Sequence, residues 1–482
     1  MAAVAMWAMA CGGPSPSVWT SASSEDDGER PGTGSDDGPS ESGDSDAELD
    51  TGSDVHTSRG IATTGGRGST SGSGTTTSPW STTSGSGGKD TEVADDGTSG
   101  TSGGTTDTGD GASADETTGP VRESPPPLHG ERYPFPQNID YAYGVRSSEI
   151  DSDHVRRWYD DWSQKYLQAC NDNLRPGVDP LSTSLVEAQG FAMIAAAYMG
   201  DKPVLDRLYG YYQAKLTQAG CGLMGWKNNC GGFEDQGSAT DGDIDVASGL
   251  LVAHWQWPND GYDEKARAVL SALKRVIVDC GGTLALHPGC SGGRPWGGCD
   301  ETDASYYSPA FFRHFAELTG DDTWAKLADD THVIRDAAAH PSTGLVPDWQ
   351  SVGGRAGAGS RKGYYSFDAI RVPFKHGLDY LWHGNERARA WCEKISSWAH
   401  GVGVGNIRDG YYLDGGVEGR NHNLATVGSL AVCAMANTQE IADAFVAESV
   451  RLRDDFWYSG YLGNLYLLAI SGNMWTPEIV GH

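Results

Sequence analysis

Apolar residues recur at helical spacing from about Tyr133 to the end of the chain. Runs of apolar positions three and four residues apart are separated by Gly, Pro or Asp, a pattern that predicts helices with a buried face. Alternating runs of β-branched residues are few, so a fold built on a sheet is disfavoured. The pattern predicts twelve helices, at about 148–169, 185–199, 201–218, 241–256, 260–280, 305–319, 321–339, 364–382, 385–400, 421–436, 438–455 and 459–472.

Short and long connections alternate between these helices. Gly200-Asp201 and Gly320-Asp321-Asp322 are tight, whereas residues 219–240, 281–304 and 340–363 are long. We therefore predict an all-α fold, an (α/α)6 toroid of six helical hairpins, in which the long loops build one functional face. An irregular helical domain is the alternative, but it does not predict a count of twelve.

Residues 12–130 differ in composition from the rest and consist largely of Ser, Thr, Gly, Asp and Glu. Such a segment buries too little apolar surface to offset the entropy of ordering it, so we predict a disordered linker before a folded domain over residues 131–482. The linker carries 21 acidic and 5 basic side chains, in a chain of net charge −30. This balance excludes nucleic acid as a partner, because phosphate binding requires a basic face.

The first eleven residues are apolar and end in Ala8-Met9-Ala10-Cys11. Small residues directly before a cysteine resemble a bacterial lipoprotein signal, in which that cysteine is lipidated. No Lys or Arg precedes the apolar run, so an N-terminus without targeting meaning is the alternative. The first interpretation makes residues 1–11 a signal remnant and the protein secreted or a cell-surface bacterial lipoprotein, with membrane contact only through a lipid on Cys11. No apolar stretch in the rest of the sequence is long enough to span a bilayer.

The cysteines beyond Cys11 are even in number, which suggests disulfide bonds in an exported chain. They are Cys170, Cys221, Cys230, Cys280, Cys290, Cys299, Cys392 and Cys433. Cys221 with Cys230 and Cys290 with Cys299 bracket Gly-rich loops and are the expected local pairs. Zinc is the competing interpretation, but no CxxC or HxxxH spacing accompanies these cysteines, so we predict no metal site.

Acidic residues stand at the start of three otherwise apolar helices. Glu187 lies in residues 184–193, Asp241 in 239–247 and Asp368 in 364–372. Acidic side chains favour helix N-termini, where they cap backbone N–H groups and complement the helix dipole. Capping alone therefore explains each segment taken singly. For Asp243 and Asp245 we predict only capping and structural roles.

Taken together and in order, these segments resemble glycoside hydrolase family 8. Residues 239–247, Ala-Thr-Asp-Gly-Asp-Ile-Asp-Val-Ala, are similar to the family signature. Val-Glu-Ala-Gln-Gly at 186–190 resembles the motif Ser-Glu-Gly-Gln-Gly, and Ser-Phe-Asp-Ala-Ile-Arg at 366–371 resembles Ser-Tyr-Asp-Ala-Ile-Arg. Residues 303–310 begin Asp-Ala-Ser-Tyr and resemble a block that usually begins Asn-Pro-Ser-Tyr. The resemblance covers roughly residues 140–480 and implies an (α/α)6 catalytic domain with no cofactor.

The resemblance also implies a role for each acidic residue. Glu187 matches the general acid, Asp368 the general base, and Asp241 a third residue that holds the sugar next to the scissile bond. An inverting mechanism places a water between sugar and base, so the two catalytic carboxyl groups are expected roughly 6.5–9.5 Å apart. Arg371 is expected one helical turn after Asp368, where its charge would keep the base ionised. A surface arginine is the alternative.

Sugar-binding sites require flat apolar surfaces with polar edges. Aromatic residues in the long loops or at a helix start are candidates for these platforms, namely Trp226, Trp296, Tyr306, Tyr307 and Trp349. The aspartate in the base position favours, by resemblance, an endo-β-1,4-glucanase (cellulase), with an endo-β-1,4-xylanase or a chitosanase as alternatives. The expected partner is a polysaccharide, and the expected state is a monomer.

Two further hypotheses remain open. The departures from the family pattern at Phe367 and at Asp303-Ala304 are compatible with a catalytically silent, surface-anchored polysaccharide-binding protein. An (α/α) lyase would need a Tyr/His or Asn/Arg set for proton abstraction and a uronic substrate. The acidic balance of the chain disfavours such an acidic substrate.

Overall fold

The structure is a computed structural model that describes residues 126–481. The predicted signal at 1–11 with Cys11, and nearly all of the predicted linker at 12–130, lie outside the described residues. Within the described part the chain is mainly helical. The helices are α1 (Ser152–Tyr166), α2 (Val186–Tyr198), α3 (Lys202–Ala214), α4 (Thr240–Gln256), α5 (Tyr262–Leu273), α6 (Pro309–Thr319), α7 (Asp322–Ala338), α8 (Val372–His383), α9 (Glu386–Val402), α10 (Leu424–Ala434), α11 (Gln439–Arg451), α12 (Trp457–Ile470) and α13 (Pro477–Val480).

Short antiparallel strands occur in the long loops. They pair as β1 with β2, β3 with β4 and β4 with β5, β6 with β7, and β8 with β9. In the three-stranded sheet Thr183 is opposite Asn229, and Leu185 is opposite Lys227. The strands are β1 (Leu167–Cys170), β2 (Asn173–Pro176), β3 (Thr183–Leu185), β4 (Lys227–Asn229), β5 (Phe233–Asp235), β6 (Ile277–Asp279), β7 (Leu284–Leu286), β8 (Gly289–Ser291) and β9 (Arg294–Trp296).

Alternate helices differ in how far they are buried. Every residue of α2 and α10 is buried, and so is nearly every residue of α4 and α12. These helices are apolar or small all round, the pattern of a helix in a core, whereas α1, α3 and α5 expose one polar face. The buried helices pack α6 on α8, α8 on α10, α10 on α12, α12 on α2 and α2 on α4. They therefore form the inner ring of the predicted (α/α)6 toroid.

Helices α2 and α4 approach each other closely at two glycines. A Cβ atom at Gly242 would lie 2.6 Å from the backbone nitrogen of Glu187, and a Cβ atom at Gly190 would lie 2.7 Å from the carbonyl oxygen of Gly242. Only glycine allows this approach of two backbones. The contact sets the spacing between the two helix starts that carry Glu187 and Asp241.

The helix predicted from residue 364 begins only at Val372. Two sets of backbone bonds hold the preceding residues in another conformation. Tyr365 pairs with Tyr411 in a β-bridge, and Asp348 Oδ1 accepts hydrogen bonds from the N–H groups of Ser366 (2.8 Å) and Ala369 (2.9 Å). Asp368 therefore lies in a turn before α8 and not within the helix.

Other helix boundaries also differ from the prediction. The helix predicted at 305–319 begins at Pro309, and Ala304–Tyr306 forms a separate 3₁₀ turn. The helix predicted at 260–280 ends at Leu273 because Ile277–Asp279 pairs as β6 with β7. The short α13 was not predicted. None of the helices within residues 126–481 is both long enough and apolar enough to cross a bilayer.

Two of the disulfide bonds join different loops, one lies within the connection between α5 and α6, and one joins α9 to α10. The pairs are Cys170–Cys230, Cys221–Cys290, Cys280–Cys299 and Cys392–Cys433. The predicted local pairs Cys221–Cys230 and Cys290–Cys299 are therefore wrong. The physical reason is backbone pairing between loops. The carbonyl of Cys290 accepts the N–H of Ser238, and Gly293 N–H donates to Ala219, so strand β8 is held against the loop that contains Cys221.

We expect a non-reducing peptide map of the purified protein to show these four pairs. The diagnostic fragment joins the peptide of Cys170 to that of Cys230, which are 60 residues apart. Mass spectrometry after proteolysis with and without reduction is the measurement. A peptide containing a Cys221–Cys230 bond would contradict the loop arrangement described here.

Candidate active site

The inner helices α2 and α4 present acidic side chains at their first turns. Glu187 and Asp241 are each the second residue of their helix. The N-cap positions are Leu185 and Ala239, and neither offers a side-chain cap. Capping therefore does not explain these residues and that half of the alternative is wrong, although both lie in the first turn, where the helix dipole favours an acidic side chain. Their carboxyl groups instead meet those of other segments in the middle of the ring.

Arg371 joins the three predicted catalytic carboxyl groups. Its Nη1 lies 2.6 Å from Asp241 Oδ2 and 3.2 Å from Glu187 Oε2, and its Nη2 lies 3.2 Å from Asp368 Oδ1. Only 2% of the Arg371 side chain is exposed. The surface-arginine alternative is therefore wrong. The guanidinium group holds the three carboxyl groups together by charge-assisted hydrogen bonds.

Burial determines the protonation of Glu187. Loss of solvent raises the pKa of Glu187 well above its ordinary value, the guanidinium of Arg371 opposes this, and the charges of Asp241 and Asp368 raise it further. Only 5% of the Glu187 side chain is exposed, and its Oε1 has no hydrogen-bond partner among the described residues. A carboxyl group that keeps its proton near neutral pH can act as a general acid.

Asp368 is held from three sides. Trp349 Nε1 donates a 3.0 Å hydrogen bond to Oδ2, Arg371 contacts Oδ1, and Asp348 fixes the turn through its two backbone contacts. The pKa of Asp368 is raised above its ordinary value by burial and by the charge of Asp241, and Arg371, the Trp349 hydrogen bond and the Lys362 charge limit this increase. These contacts favour the ionised form that a general base requires.

The spacing of acid and base is bounded by Arg371. Glu187 Oε2 and Asp368 Oδ1 contact different terminal nitrogens of one planar guanidinium group, each at 3.2 Å. These two oxygens are therefore at most about 9 Å apart, because the width of the fork is fixed. This bound accommodates the roughly 6.5–9.5 Å that an inverting hydrolase needs for a water.

Asp243 and Asp245 have structural roles, but they do not cap the helix. Asp243 Oδ1 accepts hydrogen bonds from Tyr212 Oη (2.7 Å) and Met224 N (3.1 Å), which ties α3 and the following loop to α4. Asp245 forms a buried ion pair with Lys375 of α8. The structural half of the prediction is confirmed and the capping half is wrong.

The predicted aromatic platforms divide into two groups. Trp226 and Tyr306 line a small pocket with Glu187, Asp241 and Asp368, which has a cavity volume of about 10 Å³. Trp296 is half-buried and stacks on Trp349, with ring centroids 6.0 Å apart.

Tyr307 and Trp349 do not form open platforms. Tyr307 is 1% exposed, and its hydroxyl binds the backbone N–H of Leu286 and the Thr302 hydroxyl, so its prediction as a platform is wrong. Trp349 is 2% exposed and acts through its bond to Asp368.

Sequence reasoning assigned no function to two buried carboxyl groups at the site. Asp303 and Asp348 are 0% and 1% exposed, and burial followed by the charge of Asp368 raises the pKa of each well above its ordinary value. Both lie in the loops that carry Tyr306 and Trp349. The usable signal was an acidic residue directly beside a candidate aromatic residue in a long loop.

Comparison with known proteins agrees with this geometry. Residues 155–471 match the glycosyl hydrolases family 8. Endoglucanase 2 of Ruminiclostridium josui is 32% identical over 364 residues, covering 71% of this chain and 77% of the relative. A reducing end xylose-releasing exo-oligoxylanase of Halalkalibacterium halodurans is 25% identical over 381 residues, covering 71% and 95%. The apo structure of a beta-1,3-1,4-glucanase from Paenibacillus sp. X4 has a TM-score of 0.64 at 26% identity, covering 71% of this chain and 99% of that one.

The ring fold and its cluster of carboxyl groups thus define a glycoside hydrolase. The chain belongs to glycosyl hydrolases family 8.

We expect Trp349→Phe to move the acid limb of kcat/KM to higher pH by about one unit, the effect of losing one hydrogen bond to a charged group. The indole N–H lowers the pKa of Asp368. Without it, this pKa rises and the base is protonated at a pH where the wild-type base is ionised. The measurement is the pH dependence of polysaccharide hydrolysis.

Trp391→Phe is the matched control for this substitution. Trp391 is also buried, but its Nε1 donates to the carbonyl of Gly344. Its replacement removes the same type of donor without touching the base. Equal shifts in both variants would contradict the role assigned to Trp349.

Proposed function

We propose that this protein is an inverting, endo-acting hydrolase of β-1,4-linked glucan. Glu187 is the general acid, Asp368 is the general base, and Asp241 holds the sugar next to the scissile bond. The observation that carries the proposal is the contact of one buried guanidinium group, Arg371, with all three carboxyl groups.

The reaction follows from the protonation states. Glu187 gives its proton to the glycosidic oxygen as the bond from that oxygen to the anomeric carbon breaks. A water on the opposite face attacks the anomeric carbon and gives a proton to Asp368. The products are two shorter chains, one with a new reducing end of inverted configuration, and Glu187 and Asp368 then exchange a proton with solvent to restore the starting state.

The substrate class is supported by the relatives. Endoglucanases of two other species, Ruminiclostridium cellulolyticum and Acetivibrio thermocellus, are each 30% identical to this chain over 71% of its length. The relative that releases xylose is less similar, at 25%. We therefore assign β-1,4-glucan as the principal substrate and use xylan and chitosan as comparison substrates.

The aromatic residues at the pocket supply the surface for the sugar. Trp226 and Tyr306 border the same space as the three carboxyl groups, so a pyranose packed on either ring would lie next to the acid. Trp296 is half-exposed further along the loop face and is proposed to contact a more distant unit of the polymer. A row of rings suits the interior of a long chain, as endo cleavage requires.

We also propose that the protein works outside the cytoplasm, attached to the cell surface through a lipid on Cys11. The four disulfide bonds support an oxidising compartment. The sequence Ala8-Met9-Ala10-Cys11 supports the lipid.

We expect Glu187→Gln and Asp368→Asn each to lower kcat on carboxymethylcellulose by at least about 10²-fold, because each removes a proton-transfer group. The measurement is the release of reducing ends from carboxymethylcellulose, xylan and chitosan. Glu264→Gln, an exposed acidic residue of α5, is the control and should retain the wild-type rate.

The outcomes separate the alternatives. No reducing ends from any polymer, together with retained binding, would favour a silent binding protein. Full activity in both variants would show that the acid and base lie elsewhere. Faster hydrolysis of xylan or chitosan would correct the substrate but not the mechanism.

Proton NMR of the first product tests inversion separately. A β-1,4-glucan should give the α-anomer before mutarotation, since the water attacks from the face opposite the leaving group. The same experiment with a β-anomer as first product would establish retention. It would require Asp368 to act as a nucleophile.

A further inference from the structure

Asp303 places another carboxyl group beside the base. It precedes the 3₁₀ turn Ala304–Tyr306, and none of its side chain is exposed. Its Oδ1 accepts hydrogen bonds from the N–H (2.8 Å) and the hydroxyl (2.7 Å) of Ser305. Its Oδ2 has no hydrogen-bond partner among residues 126–481 and lies 4.0 Å from Arg371 Nη2.

The hydrogen bonds that Arg371 donates to the other carboxyl groups can be compared with its distance to Asp303. Nη1 contacts Asp241 and Glu187, and Nη2 contacts Asp368 at 3.2 Å. At 4.0 Å, Asp303 faces the same Nη2 without a hydrogen bond. A charged carboxylate buried this close to a guanidinium group would be expected to bind it. Asp303 receives no such bond, whereas Asp368 receives one from the same nitrogen.

We propose that Asp303 is a positioning residue, an uncharged carboxylic acid whose neutrality leaves Arg371 Nη2 bound to Asp368, and whose ionisation ends activity at alkaline pH. The proposal rests on the proposed function, because it concerns the base of that reaction. Ionised Asp303 would compete with Asp368 for one donor and add a negative charge next to the base.

The charged groups around Asp303 support a neutral form. Burial raises its pKa well above the ordinary value and the charge of Asp368 raises it further, while Arg371 and the bonds from Ser305 oppose this. Tyr307 faces Asp303 from the same loop. Asp241, which belongs to α4, contacts the other terminal nitrogen of Arg371. The ionisable side chains buried between α7 and α8 bind one another; they are His332, Arg335, His376 and Asp379.

The test is the pH profile of kcat/KM on carboxymethylcellulose for the full chain and for Asp303→Asn. The amide keeps the shape of the acid but has no proton to lose. We expect its alkaline limb to lie at higher pH by on the order of one unit and to be less steep, because one of two ionisations is gone.

Ser305→Ala is a second variant with a smaller effect on the fold. The Ser305 hydroxyl stabilises ionised Asp303, so its removal raises the pKa of Asp303 and should also move the alkaline limb to higher pH. Asp243→Asn is the matched control. Burial raises the pKa of Asp243 to about 7, but its hydrogen bonds come from Tyr212 and Met224, and its replacement should leave the limb in place.

An unmoved alkaline limb in both Asp303→Asn and Ser305→Ala overturns the proposal. An equal movement in Asp243→Asn also overturns it, because any buried acid would then have the same effect. If Asp303→Asn does not fold, Ser305→Ala alone decides.

Thermal unfolding gives a measurement independent of activity. A carboxyl group with a raised folded-state pKa binds its proton more tightly in the folded state, so stability falls as pH rises from the unfolded-state pKa to the folded-state pKa. The Tm of Asp303→Asn relative to wild type should therefore increase from pH 4 to pH 7. If the wild type hydrolyses no polymer, the proposed function fails while this Tm difference still reports a neutral Asp303. A constant Tm difference would show that Asp303 is not a buried neutral acid.

Discussion

One buried cation among several carboxyl groups is the constraint on which this molecule depends. Arg371 contacts Glu187, Asp241 and Asp368 and faces Asp303, and all of these side chains are largely withdrawn from water. Unpaired charges are costly to bury, so the carboxyl groups can stay together only with the cation present. A single positive charge cannot balance all of them as anions. Burial together with the charges of Asp241 and Asp368 therefore raises the pKa of Glu187 well above its ordinary value, although Arg371 opposes this.

The toroid brings the carboxyl groups and Arg371 close enough together to interact. Its inner helices are small and apolar all round, so their first turns can converge without a layer of polar side chains between them. In addition to the contacts between helices, Asp348 and Trp349 of the neighbouring loop hold the turn that contains Asp368. Each of these supports is a specific hydrogen bond to a backbone or carboxylate group, and together they restrain Asp368 and its turn.

Twelve of the helices were predictable because the hydrophobic period is local. The resemblance of their motifs predicted the roles of Glu187, Asp368 and Asp241, and the structure brings these three residues together around Arg371. The pairing of Cys221 with Cys290 was not predictable, because it depends on two loops meeting in space. Tyr306 and Tyr307 are adjacent in sequence, yet one borders the pocket and the other binds Leu286 in the core. Periodicity does not resolve such a difference in a loop.

The acid and the base are mounted in different ways. Glu187 sits where α2 and α4 touch at Gly190 and Gly242, so its backbone cannot shift unless two packed helices shift with it. Asp368 sits in a turn attached by a few hydrogen bonds from loop residues. Change in the loops during evolution, such as that which reshapes a cleft for a different polymer, can therefore displace or replace the base while the proton donor stays in place. Glu187 is held by the packed helices of the fold, whereas the position of Asp368 depends on the loops.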